Sequence, residues 1–116
     1  LSSTIKRGDI YRINPPPAEG SVQQGFRPCL VIQNNTGNIY SPVTIVAVCT
    51  TKKLDRLYDT DVLLTAEETG LRENSKVMCN QIITIPKTNL GIKVGTVPQY
   101  KMDLVDKAIK ISLGLK

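Results

Sequence analysis

The sequence contains no histidine, no tryptophan and only one phenylalanine. Without histidine the usual acid–base side chain near neutral pH is missing, which excludes histidine-based ribonuclease and serine-hydrolase mechanisms. Four tyrosines and one phenylalanine are too few for base stacking to be the main way of holding a nucleic acid. Cysteine is sparse as well: Cys29, Cys49 and Cys79 stand singly in three apolar segments, with no C-x-x-C pair. Isolated thiols in odd number read as small buried hydrophobes in a reducing compartment, and the lack of closely spaced ligands argues against zinc. No apolar run approaches the ~20 residues of a membrane span, and the stretch LSSTIKRGD carries no apolar signal-peptide core. A cytoplasmic protein with no membrane association is the expectation.

Acidic residues are absent from one long window. None occurs between Glu19 and Asp55, while Arg27, Lys52 and Lys53 fall inside it. Residues 1–56 carry seven Lys/Arg against three Asp/Glu, so most of the net charge of +5 resides there. A surface built from that stretch attracts a polyanion. At 116 residues the chain suffices for one domain spanning 1–116 and one core.

Strand patterns dominate what is present. GDIYRIN (8–14) alternates, with Tyr11 and Ile13 on one side and Ile10 on the other. PPPAEGSVQQGF (15–26) is rich in Pro, Gly and Gln, and a loop of that length in a small domain tends to be functional. RPCLVIQ reads as a second strand, followed by a turn at NNTGN. SPVTIVAVCT (41–50) is the most hydrophobic run, continuous and β-branched, as in a strand buried on both faces. A further strand is expected near 60–64. TAEETG (65–70) matches a capping box for one helical turn, with Thr65 as N-cap, Glu68 three residues later and Gly70 as the stop. SKVMCNQIITI (75–85) and GIKVGTV (91–97) complete the strands. A C-terminal helix follows Pro98, with Met102, Val105 and Ile109 on one face beside Leu104, Ala108 and Leu113. Asp103–Lys107 and Asp106–Lys110 are spaced as outward i,i+4 pairs. Together these describe a mainly β protein of five to seven strands, closed into a small barrel or left as a partly open sheet, capped by the helix.

QGFRPCLVIQN (24–34) places an arginine and a proline directly before a core strand. Pro28 cannot donate to a ladder and belongs at the strand's first residue, and the residue before a proline is pushed to extended geometry. Arg27 is therefore held at the mouth of a strand with a glycine close by, which suits a guanidinium aimed at a target. By itself such an Arg-Pro fits a surface salt bridge equally well, and a threonine ending a β-branched run, such as Thr50, is ordinarily just a strand residue.

IKRGDIY, GSVQQGFRPCLVIQNNTGN, YSPVTIVAVCT, GLRENSKV, QIITI and DKAIKISLGL fall in the order and spacing of the MazF/PemK/Kid family of toxins from type II toxin–antitoxin modules, which the chain resembles from about residue 5 to 114. The resemblance implies a small SH3-like barrel of the CcdB/MazF plasmid-toxin kind, a homodimer, a bacterial cytoplasmic setting, and sequence-specific, ribosome-independent cleavage of single-stranded mRNA. It further implies neutralisation by a cognate antitoxin whose disordered tail occupies the RNA groove. The family's catalytic arginine and threonine fall on Arg27 and Thr50. Val22 stands where the family carries an acid, and Asn80-Gln81-Ile82-Ile83 where it carries EQIR.

RNA needs no metal or cofactor to be cut, because its 2′-OH is an internal nucleophile beside the scissile phosphorus. The crowded phosphorane that forms requires mainly positioning and preorganised positive donors. Arg27 reads as the phosphate clamp, since a guanidinium presents a planar fork matched to phosphate oxygens. Thr50 Oγ1 reads as a donor to the phosphate or the 2′-oxygen. The products would be a 2′,3′-cyclic phosphate and a 5′-OH, and DNA, lacking the nucleophile, would bind weakly and survive. Arginine is not normally deprotonated in proteins, so a general-base role for Arg27 would need a very unusual environment, and donation to the leaving 5′-oxygen or transfer through water fits better. Ser21, Gln23, Gln24 and Gly25 in the loop, Pro28 at the strand entrance and Gln81 are the candidates for reading RNA, with Lys52 and Lys53 as contacts to its backbone. Two other readings compete: a gyrase-poisoning toxin on the same barrel, and a homologue that binds RNA or antitoxin without cutting.

Overall fold

The computed structural model describes residues 4–13 and 27–116. Six strands form one antiparallel sheet in the order β4-β5-β3-β2-β1-β6. They are β1 (Asp9–Ile13), β2 (Arg27–Val31), β3 (Val43–Thr50), β4 (Asp61–Leu64), β5 (Ser75–Pro86) and β6 (Leu90–Thr96). A 15-residue helix, α3 (Gln99–Leu113), packs against one face. The expected strands all form, within a residue or two of the bounds the alternation suggests.

The sheet is buried on both sides because its central strands are apolar at successive positions. Ile10, Leu30, Ala47, Cys49, Val62, Leu64, Val77 and Cys79 face Met102, Val105 and Ala108 of α3. Tyr11, Ile13, Cys29, Val31, Val46 and Ile85 form a second cluster on the opposite side. The split of Tyr11 and Ile13 from Ile10 follows the period-two pattern. All three cysteines are free and buried.

Two short helices differ in how plainly the sequence signals them. α2 (Ala66–Thr69) is the expected capping box: Thr65 Oγ1 accepts from the Glu68 amide, Glu68 Oε2 accepts from the Thr65 amide, and Gly70 closes it at φ 86°. NNTGN, expected as a turn, is instead the start of α1 (Asn35–Tyr40), with the Asn34 side chain accepting from the Gly37 amide. The helix forms because Asn38 is buried at its centre. Asn38 exchanges hydrogen bonds with Gln33, accepts from Thr44 Oγ1 at 2.8 Å, and its carbonyl accepts from Lys87 Nζ.

On α3 the expected i,i+4 ion pairs are not formed. Asp106 pairs with Arg7 at 2.7 Å, and Asp103 accepts from Gln99. Arg7 also donates through Nε to the Ile32 carbonyl, so this pair ties the helix to the sheet. Leu104 and Leu113, expected on the packed face, are exposed; the contact stripe is narrower, at Met102, Val105 and Ala108.

The sheet curls. α2 directly follows the edge strand β4, yet it meets the other edge strand: a Cβ on Gly95 of β6 would lie 2.8 Å from the Thr69 carbonyl oxygen. Only glycine permits that approach. The two edges are thus bridged through α2, and a cleft opens along the seam.

Candidate active site

β2 begins with Arg27 and β3 ends with Thr50. The two strands pair antiparallel with Cys29 opposite Val48, Leu30 opposite Ala47 and Val31 opposite Val46. Continuing that register by two residues sets Arg27 across from Thr50. Residues opposite each other on an antiparallel pair project to the same face, so both belong to the side of Cys29 and Val48. Arg27 is exposed and Thr50 half-buried at this open end of the sheet. Their opposition follows from the strand ladder and not from the path of the chain between them.

The Thr50 hydroxyl has a defined role in the local backbone. Its Oγ1 accepts from the Lys52 amide at 3.2 Å. With an acceptor site occupied, the hydroxyl proton remains available for donation outward. Lys52 and Lys53 follow after Thr51, both exposed, and Lys53 adopts φ 55°, a left-handed conformation uncommon for a non-glycine residue. The turn that aims them is held from beneath. Lys76, on β5 opposite Thr50, donates Nζ to the carbonyls of Lys53 and Arg56, both at 3.0 Å, and lies 3.4 Å from Asp61 Oδ2. Sequence reasoning missed Lys76, since a lysine next to a serine at a strand start looks like a solvated residue. The signal was Asp61, one of few acids in an apolar strand on the neighbouring β4.

Pro28 pairs with Arg12 of β1 and lines the seam cleft. Gln81 is exposed on β5, inside a register shift where Ala47 and Val48 face Ile82 and Met78. It is therefore on the strand next to β3, in a bulge of the kind that re-aims a side chain. Ser21, Gln23, Gln24 and Gly25 lie outside the described residues, as does Val22. Among the described residues no group of three metal-ligating side chains occurs.

The buried thiols are unsuited to nucleophilic work. Burial pushes Cys29 up to about 12 and Cys79 up to about 11, and raises Cys49 further.

The model of the PemK-like, MazF-like toxins of type II toxin–antitoxin systems matches residues 6–113. The chain belongs to this family. It is 41% identical over 111 residues to Endoribonuclease EndoA of Bacillus subtilis (strain 168), covering 96% of each chain. Among solved structures, a mycobacterial endoribonuclease in complex with its cognate antitoxin superposes with a TM-score of 0.78 at 25% identity, covering 97% of both chains. The MazE–MazF complex of Deinococcus radiodurans (Form-II) gives a TM-score of 0.81 at 19% identity, covering 99% of this chain and all of that one. This last likeness bears on the fold alone: the six-stranded antiparallel sheet with its C-terminal helix is the MazF toxin architecture.

Proposed function

We propose that this protein is an endoribonuclease toxin that cuts single-stranded mRNA at specific sequences, without ribosome or metal, leaving 2′,3′-cyclic phosphate and 5′-OH ends. The observation that carries the reading is the β2–β3 register, which sets Arg27 opposite Thr50 on one face at an exposed sheet end. Family membership and the 41% identity to an endoribonuclease support it.

The chemistry follows from the RNA. The 2′-oxygen attacks phosphorus as its proton passes to water, a pentacoordinate species gathers negative charge on its equatorial oxygens, and the bond to the 5′-oxygen breaks as that oxygen takes up a proton through water. The Arg27 guanidinium meets that charge with fixed N–H donors, and charge-assisted hydrogen bonds of this type are the strong ones. Thr50 donates a hydrogen bond from its hydroxyl to a phosphate oxygen or to the 2′-oxygen. Lys52 and Lys53 neutralise flanking phosphates, and Gln81 reads a base beside them. Ser21, Gln23, Gln24 and Gly25, which precede β2 in the sequence, contact bases as well.

A cognate antitoxin covers this surface, as the antitoxin complex of the mycobacterial relative suggests by analogy. The protein pairs as a homodimer, for which the exposed apolar side chains of Ile39, Tyr40 and Ile83 are the supporting observation.

The test is direct. Purified protein with a long mixed-sequence RNA in EDTA is expected to give specific cuts with 5′-OH ends, lost in Arg27→Ala. The same sequence with a single 2′-deoxy sugar at the cut should remain whole. Intact RNA from well-folded protein would defeat the nuclease reading, and a gyrase supercoiling assay would then test the poison alternative.

A further inference from the structure

The seam between the sheet's edges holds a cleft of about 550 Å³ lined by Arg12, Pro28, Thr51, Leu71, Arg72, Glu73 and their neighbours. Pro28 and Thr51 are the chain neighbours of Arg27 and Thr50, so the cleft begins where the candidate active site ends. Because alternate residues project to opposite faces, Arg12 and Pro28 lie on the other side of the sheet from the pair. A strand of RNA drawn over the sheet's end would enter the cleft one step from the reacting phosphate.

Its lining has a division of labour. Leu71 and Val94 are half-buried and supply an apolar wall. Arg12 and Arg72 are exposed at its rim, and neither enters an ion pair among the described residues. Glu73 is exposed and likewise makes no ion pair there, while its carbonyl accepts from Ser75 Oγ at 3.3 Å. The volume falls within the ~300–1,000 Å³ of small-molecule sites, enough for one nucleotide. Two guanidiniums fit a phosphate, and a planar guanidinium stacks on a splayed base in a protein poor in aromatics. A carboxylate can only accept, so it rewards an exocyclic amine. Uracil offers only N3–H, flanked by two carbonyl oxygens that repel the carboxylate.

We propose that this cleft is a specificity subsite for the nucleotide next to the scissile linkage, in which Arg12 and Arg72 hold its phosphate and Glu73 selects adenine, cytosine or guanine against uracil. The proposal rests on the nuclease reading for its position in the substrate, and it commits to RNA as occupant on the charge of the rim and the continuity with Arg27 and Thr50.

Two measurements separate its failure from failure of the nuclease reading. In the first, all cuts in a mixed-sequence RNA are mapped for wild type and Glu73→Gln. Wild type should disfavour uracil at one position flanking the cut, and Glu73→Gln should raise the share of uracil there several-fold while other positions keep their preference. In the second, a fluorescein-labelled, fully 2′-O-methylated single-stranded RNA, which cannot be cut, is titrated by anisotropy. Arg12→Ala/Arg72→Ala should bind it about tenfold more weakly, and the slope of log affinity against log salt should fall by ~0.7, as expected for one single-strand phosphate no longer neutralised. If wild type cuts no RNA but the double variant still loses affinity and slope, the cleft stands as a single-stranded RNA site and the nuclease reading falls. Unchanged cut sites in Glu73→Gln together with unchanged binding in the double variant would overturn the subsite.

Discussion

Lys76 Nζ and Asp61 Oδ2 lie 3.4 Å apart, in side chains only 7% and 3% exposed. A buried lysine must have its charge balanced and its donors used. Here the carboxylate supplies the balance and the carbonyls of Lys53 and Arg56 take the remaining donors. Asp61 in turn accepts from the Tyr58 amide at 3.0 Å. The connection from Thr50 to β4 is therefore shaped by a polar plug at its base.

Removing the plug's cation should cost much of the fold's stability. Lys76→Met leaves Asp61 buried and unpaired, a loss of ~3–5 kcal/mol, read as a lower midpoint in urea. Lys76→Met/Asp61→Leu should recover most of it, because an apolar pair of similar volume is often neutral. The double variant still lacks a donor for the Lys53 and Arg56 carbonyls. Amides 52–58 should exchange with deuterium faster than in wild type at matched stability, and RNA cleavage should stay reduced. Full cleavage in the restored variant would show that the loop's shape does not matter.

At the strand ends, Arg27→Ala should lower kcat by ~10²–10³, the usual cost of one preorganised donor at a developing oxyanion. Arg27→Lys should recover only a part, as an ammonium cannot offer the two-pronged geometry. Thr50→Val, which keeps shape and removes the hydroxyl, should also fall mainly in kcat. Single-turnover cleavage of a short RNA measures this, and an unchanged melting temperature excludes unfolding as the cause.

Acid should uncouple α2 from α3. The Thr65 amide, the Tyr100 hydroxyl and Lys101 all donate to Glu68, and they hold its carboxyl down to about 2 from an ordinary 4.5. A depressed folded value means the group stabilises the fold fully above about 4.5, and that contribution is lost as pH falls toward about 2. The difference in melting temperature between wild type and Glu68→Gln should be constant from pH 5 to 8 and close on acidification, in proportion to the fall toward about 2. A gap that persists unchanged at low pH would mean that the capping box works through shape alone.

Thiol reagents should find nothing in the native protein. Burial raises all three thiols well above their ordinary range, so almost no thiolate exists near neutral pH. Ellman's reagent should titrate none in buffer and three in guanidinium. A fast-reacting thiol in the folded state would contradict the packing of Cys29, Cys49 or Cys79.

How legible the molecule is in its sequence varies with the range of the signal. Thr65 to Gly70 is readable because every group of the motif lies within six residues and bonds locally. Val43–Thr50 is readable because burial on both faces demands a continuous apolar run. NNTGN was not, since its helix depends on Asn38 meeting Gln33, Thr44 and Lys87, the last on a segment far along the chain. The ion pairs of α3 fail for the same reason: Arg7, from the other end of the sequence, takes Asp106. At the site, Arg27 and Thr50 stand out as residues, but their opposition requires the β2–β3 register, and the role of Lys76 requires knowing that β4 lies beside β5.

That register carries a liability. Slipping β2 by one residue along β3 would turn every β2 side chain to the reverse surface, carrying the Arg27 side chain to the face opposite Thr50. Helix content and strand content would hardly change. A preparation could then pass spectroscopic inspection as native and still be inert, so potency of such a toxin is better assayed than inferred from its spectrum.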